Sequence, residues 1–132
     1  ITAAIRIALA ENYPYKQAAF KCKVGIKTKD YITQTDDSYE QIRGDEAVRY
    51  YLLNKGPLSA GINSEKWKFY KKGVFTGCPT KKIIFDHAVV IIGMQADGTW
   101  ILRNSWGPDW GENGYIRLSA KTIVVSLISF FT

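Results

Sequence analysis

Apolar positions change rhythm along this chain. Between Asp45 and Lys55 they recur at helical spacing, with Ala47, Val48, Tyr51 and Leu52 on one face, the stripe that a surface helix buries against a core. Asp45 is the expected N-cap and Gly56-Pro57 the expected stop, because glycine closes helices readily and proline cannot continue one. Beyond the helix the apolar residues alternate or form short runs, and 58–62, 73–75, 87–94, 100–104, 114–118 and 123–131 are of strand length. Ala96-Asp97-Gly98-Thr99 carries the Asp-Gly signal of a hairpin turn. Upstream the pattern is weaker. Residues 1–10 suit a helix end or an extended lead-in that Pro14 stops, 23–35 suits short strands, and Asp36-Asp37-Ser38 suits a turn. One helix followed by about six short strands predicts an α+β fold built on a curved, barrel-like antiparallel sheet.

Length and composition narrow the classes. A chain of 132 residues, 46% hydrophobic and 14% aromatic, is long enough for a single core and too apolar to be disordered. No apolar run approaches the roughly 18 residues of a membrane helix, so no membrane partner is expected. Residues 1–6 lack the layout of a signal peptide, and the chain reads as a processed piece or a truncated gene product. The net charge is +6, but the lysines come singly over 66–72 or as the pairs Lys71-Lys72 and Lys81-Lys82. That pattern fits a solvated basic face better than an anionic partner, and the Arg/aromatic signatures of nucleic-acid binding are absent. Cys22, Cys78 and the lone His87 lack metal-ligand spacing; neither a metal nor a cofactor is expected.

The candidate chemistry lies in two segments. His87 opens an apolar run, and Asn104 opens Asn104-Ser105-Trp106-Gly107-Pro108-Asp109-Trp110-Gly111-Glu112-Asn113-Gly114-Tyr115. The hairpin between them would bring the two ends together. A thiol hydrolase needs an imidazole that keeps its cysteine as thiolate and protonates the leaving amine. It also needs an acceptor that orients the second ring nitrogen, which an Asn amide oxygen can supply. Trp106 is the candidate lid over that hydrogen bond. A structural histidine beside a packed Trp-Gly corner is the plainer reading of either segment alone; their order together points to a site.

Those two segments closely resemble the papain and cathepsin family of cysteine proteases. The resemblance continues collinearly through Asn12-Tyr13-Pro14-Tyr15, Cys22, Gly56-Pro57-Leu58-Ser59-Ala60-Gly61-Ile62 and Tyr70-Lys71-Lys72-Gly73-Val74-Phe75. It implies a right-hand, barrel-like domain over 26–132 preceded by a remnant of the left-hand helical domain over 1–25. It also implies that His87 is the general acid/base and Asn104 its orienting residue. Trp106 would cover the pair and floor the leaving-group side, with Trp110 behind it. Asp86 and Ala88 would flank the cleft, Asp86 through its carbonyl. Gly61 and Ile128 would line the pocket for the side chain two residues before the scissile bond, where Ile128 would disfavour basic groups.

The family's nucleophile lies in a Cys-Gly-Ser-Cys-Trp segment roughly 130 to 150 residues ahead of the His and Asn, which falls before Ile1. Its oxyanion-donor Gln is expected to be missing likewise. Neither cysteine here stands in for the nucleophile: Lys21-Cys22-Lys23 has the wrong flanks, and Thr76-Gly77-Cys78-Pro79 matches a structural cysteine. Cys22 resembles one whose partner lies in the missing half. Cys78 resembles one whose partner would follow the Gly-Tyr-Ile-Arg strand, where this chain has none, so it is expected as a free thiol or the partner of something outside the chain. Two functions follow. In the first, the chain supplies the His/Asn half of an endopeptidase acting on peptides, with the Cys on a complementary left-hand half or another chain, in a lysosomal, vacuolar or secreted setting. In the alternative it is an inactive module kept for binding or structure. An exposed apolar face near His87, Trp106 and 1–9 is expected where the missing half would dock.

Overall fold

The computed structural model describes residues 5–21, 31–35, 39–79, 81–120 and 126–130. The chain forms two compact units, Ile1–Tyr39 with Phe130–Thr132, and Glu40–Ser129. In the first, β1 (Ile5–Ala8) pairs antiparallel with β2 (Tyr31–Thr35), Ile5 opposite Thr35. The extended alternative for the N-terminal segment is therefore the one realised. Cys22, the expected turn at 36–38 and the start of the last expected strand, 123–125, lie outside the described residues.

The second unit holds one helix and a seven-stranded sheet. The remaining elements are β3 (Tyr39–Ile42), α1 (Asp45–Asn54), β4 (Leu58–Ile62), β5 (Val74–Phe75), β6 (His87–Met94), β7 (Trp100–Arg103), β8 (Tyr115–Leu118) and β9 (Ser126–Phe130). The sheet order is β3-β9-β4-β6-β7-β8-β5. The β4–β6, β4–β9, β6–β7 and β7–β8 pairs are antiparallel and β5 lies parallel to β8. This is the expected α+β architecture, with β3 added; the alternation over 39–42 is too short to separate from its polar surroundings.

Two expectations for the helix need correction. Gly44, at φ +89, is the N-cap and makes no side-chain cap bond, while Asp45 is the first helical residue. In the first turn Asp45 and Glu46 face the positive end of the helix dipole instead of capping it. Ala47 is exposed; the buried stripe is Val48 with half-buried Tyr51 and Leu52, and Ala47, one residue out of step, falls off its edge. The stop is as expected: Gly56 at φ +126 takes a conformation open to glycine, and Pro57 begins the approach to β4.

The core is a register of side chains across four strands. Leu58 faces Ile91, Ile91 faces Leu102 and Leu102 faces Ile116, and all four have 0% exposure. Each such burial contributes about 1.5–3 kcal/mol. Period-two alternation puts His87 on the same face of β6 as buried Val89 and Ile91. Being at the strand's end, His87 is only half-buried. The β6–β7 hairpin closes where Gln95 N–H donates to Thr99 C=O (2.8 Å) and Gly98 N–H to Gln95 C=O (2.9 Å). The Asp97 carboxylate accepts from Thr99 N–H at 2.9 Å, which holds its pKa below the usual carboxylate range.

Candidate active site

The hairpin carries His87 and Asn104 into contact. His87 Nε2 lies 2.7 Å from Asn104 Oδ1, and the Ser105 backbone N–H donates to that same oxygen at 2.8 Å. A backbone N–H can only donate, so the atom it meets is the amide oxygen. Nε2 is then the ring nitrogen that donates, and in the neutral imidazole Nδ1 carries the lone pair. Asn104 is fixed in turn by its own N–H, which donates to Gly114 C=O at 2.9 Å. At 9% exposure it is buried, and its Nδ2 has no hydrogen-bond partner among the described residues.

Aromatic rings wall this pair from one side. The Trp106 ring lies 5.0 Å from the His87 ring, tilted by 31°, while remaining 41% exposed itself. Trp110 meets Trp106 edge-on at 5.1 Å and extends the stack to Trp67 (6.2 Å) and Tyr70 (5.5 Å). Its indole N–H donates to Trp67 C=O at 3.3 Å. The loop depends on Gly111 at φ +58, where a Cβ would come within 2.6 Å of Tyr115 C=O and 3.0 Å of the Tyr70 ring. A side chain there would push the tryptophans off their supports.

A second polar cluster holds the loop from behind. Glu112 accepts from Arg117 through both oxygens, at 2.8 and 2.7 Å, and from Gly73 N–H at 2.8 Å. The Arg117 guanidinium is the main reason its carboxyl is pulled down to about 2. Tyr70 donates its hydroxyl to Gly73 C=O at 2.6 Å, and burial raises its pKa. The sequence reading missed this clamp, although Glu112 and Arg117 lie on adjoining sides of a Gly-bearing turn. It also missed a strap beside the histidine: Asp86 Oδ1 accepts from both the N–H (2.8 Å) and the hydroxyl (3.0 Å) of Ser64.

The other expected site residues fall as follows. Asp86 and Ala88, both exposed, flank His87, and Asp86 N–H donates to Ile62 C=O at 3.0 Å. Half-buried Gly61 sits on β4 opposite Ala88, with Ile62 opposite His87. Ile128 is in β9 opposite Ser59, two residues along from Gly61. Cys78 is half-buried in the wall of a small cavity whose lining includes Ile62, Asn63, Trp67 and Leu118 but not His87. Among the described residues no cluster of three metal-ligating side chains occurs. Close to the site, Ile84 (72%) and Phe85 (46%) are exposed as well as Trp106.

Known proteins share this arrangement of elements. The sequence model of the family described as papain family cysteine protease matches residues 1–128. Ananain of Ananas comosus is 43% identical over 120 residues, covering 86% of this chain and 33% of ananain. Procathepsin L of Felis catus is 32% identical over 137 residues, covering 92% of this chain and 40% of that protein. The chain thus spans about a third of the curated relatives it matches. In structure it is similar to the bromelain protease from Ananas comosus, solved in complex with the E64 inhibitor, with a TM-score of 0.72 at 32% identity, covering 93% of this chain and 61% of that one. The Carica candamarcensis cysteine protease CMS1MS2, in complex with E-64, gives 0.78 at 26% identity, covering 96% and 62%.

Proposed function

Because the chain belongs to the papain family of cysteine proteases, we propose that it supplies the histidine and asparagine of a peptide-hydrolysing site whose nucleophilic cysteine lies outside these 132 residues. The observation that carries this is the 2.7 Å bond from His87 Nε2 to Asn104 Oδ1 under Trp106. With Nε2 committed, Nδ1 holds the working proton. Paired with a cysteine it forms imidazolium and thiolate; the thiolate attacks the scissile carbonyl, and Nδ1–H gives its proton to the departing amine. Nδ1 then takes a proton from water as the water attacks the thioester, and thiol and acid are released. Gly61 and Ile128 are proposed to line the acyl-side pocket, and Asp86 and Ala88 to flank the bond. Residues 1–25 and 26–132 are proposed as the left-hand remnant and the right-hand domain. The setting proposed with this reading is lysosomal, vacuolar or secreted.

The test is to treat the native protein with a thiol-directed epoxide and measure intact masses. A single adduct on a cysteine outside these 132 residues, in the same polypeptide or a co-purifying chain, together with loss of peptidase activity, is the expected result. Absence of both adduct and activity would leave a papain-like fold kept for binding or architecture.

A further inference from the structure

Between β4 and β5 runs a loop whose chemistry the proposed reaction does not use. Over 64–72 it reads Ser64-Glu65-Lys66-Trp67-Lys68-Phe69-Tyr70-Lys71-Lys72, four lysines against one glutamate. Two consecutive turns shape it, Trp67 N–H donating to Ser64 C=O (2.8 Å) and Tyr70 N–H to Trp67 C=O (2.9 Å). Trp67 (1% exposed) and Tyr70 (7%) are pinned in the core. Anchoring those two positions leaves Lys66, Lys68, Phe69, Lys71 and Lys72 in solvent. None of the four lysines has an ion pair among the described residues.

This loop is tied to the histidine at two points. Its first residue, Ser64, is held by the side chain of Asp86, the neighbour of His87. Its two anchors stack on Trp110, which supports Trp106, which covers His87. A histidine that protonates the leaving amine must have the chain beyond the scissile bond passing over it. The ring contacts from His87 through Trp106 and Trp110 to Trp67 and Tyr70 connect the basic loop to the Trp106 side of the histidine.

We infer that Lys66, Lys68, Lys71 and Lys72 select peptide substrates with acidic residues on the carboxyl side of the scissile bond. This rests on the proposed peptidase reading and adds a substrate class to it. Lysine suits the task as a mobile point charge that meets a carboxylate without a fixed fork. The loop, held by buried aromatics, keeps the charges gathered before substrate arrives, so their attraction acts on ground and transition state alike and appears mainly in KM. Glu65, next to Lys66 in the chain, moderates the field.

The test uses the complete active protein, with its cysteine-bearing part, and paired fluorogenic peptides that differ only in Glu or Gln at the second and third positions after the scissile bond. The expected kcat/KM ratio is roughly threefold to tenfold in favour of Glu at low salt, mostly in KM. It should fall close to one at about 1 M salt, where charges are screened within about 3 Å. The double variants Lys66→Gln/Lys68→Gln and Lys71→Gln/Lys72→Gln should each lower the ratio, whereas Lys55→Gln, outside the loop, should keep it. An active enzyme with no Glu preference, or one that all the loop variants retain, overturns this inference and leaves the peptidase reading standing. A complete protein inactive on both peptides and unreactive to the epoxide overturns both.

Discussion

Trp110 separates two polar groups of opposite character. Behind it, both oxygens of Glu112 and the Tyr70 hydroxyl are engaged by Arg117 and Gly73. In front, among the described residues, Asn104 Nδ2 has no partner and the His87 ring bonds through Nε2 alone, while Trp106 leaves two-fifths of its surface in solvent. Buried polar groups are normally satisfied because an unmade bond costs about 1–3 kcal/mol. The rear cluster obeys that rule and reads as structure. The front pair departs from it at Asn104 Nδ2. Asn63 Oδ1, Trp67 Nε1 and Trp100 Nε1 are also unpartnered among the described residues, so what sets the front pair apart is the imidazole beside the gap, where the proposed reaction needs room.

The difference is broken most sharply by exchanging what each cluster loses. His87→Ala in the complete protein should lower kcat/KM by at least about a thousandfold. Its unfolding free energy in urea should change by less than about 1 kcal/mol, because Asn104 Oδ1 keeps the Ser105 N–H. A large stability loss with modest loss of turnover would make His87 a structural residue. Asn104→Ala comes next. It should lower kcat about 10- to 100-fold by freeing the imidazole to rotate, and raise the mobility of the His87 ring as read by NMR; unaltered ring dynamics would argue against an orienting role. At the rear, Glu112→Ala should do the opposite, costing about 1–2 kcal/mol as Gly73 N–H and Arg117 lose their acceptor. The partial exposure of the pair keeps that figure low. Its effect on turnover should not exceed what the fraction unfolded explains.

The same division explains what was legible in the residues. The strands from β4 to β8 and the His87–Asn104 pairing announce themselves because runs such as Ala88-Val89-Val90-Ile91-Ile92 and the Asp97-Gly98 turn act locally. The Glu112–Arg117–Gly73 clamp and the Asp86–Ser64 strap were not legible. Gly73 and Glu112 lie 39 residues apart and Ser64 and Asp86 22 apart, so no short-range spacing records those bonds, and the five-residue spacing of Glu112 and Arg117 matches no helical period. The misplaced cap has a different cause. Asp45 is a good capping side chain, but Gly44 takes the φ +89 turn that a side chain there would resist, so the helix starts one residue earlier than capping propensity alone suggests.

The smallest effect tests the rear cluster by itself. Glu112 has its carboxyl held down to about 2, first by Arg117 and then by Gly73 N–H against the cost of burial. In the unfolded chain the group returns to an ordinary carboxylate value near 4.5. Between those two values the unfolded state binds more protons than the folded one, so stability rises with pH across that window. The contribution is fully present above the unfolded value and drains away as pH falls toward 2. Urea unfolding from pH 6 down to pH 2.5 should therefore show an acid limb that Glu112→Gln makes shallower, with little difference in slope above pH 5. The limb should also soften at high salt, because the pair is partly exposed and screened. If the acid limbs of the two proteins ran parallel, Glu112 would not be held ionised by Arg117, and the rear cluster would owe its rigidity to the Tyr70–Gly73 bond and the aromatic stack instead.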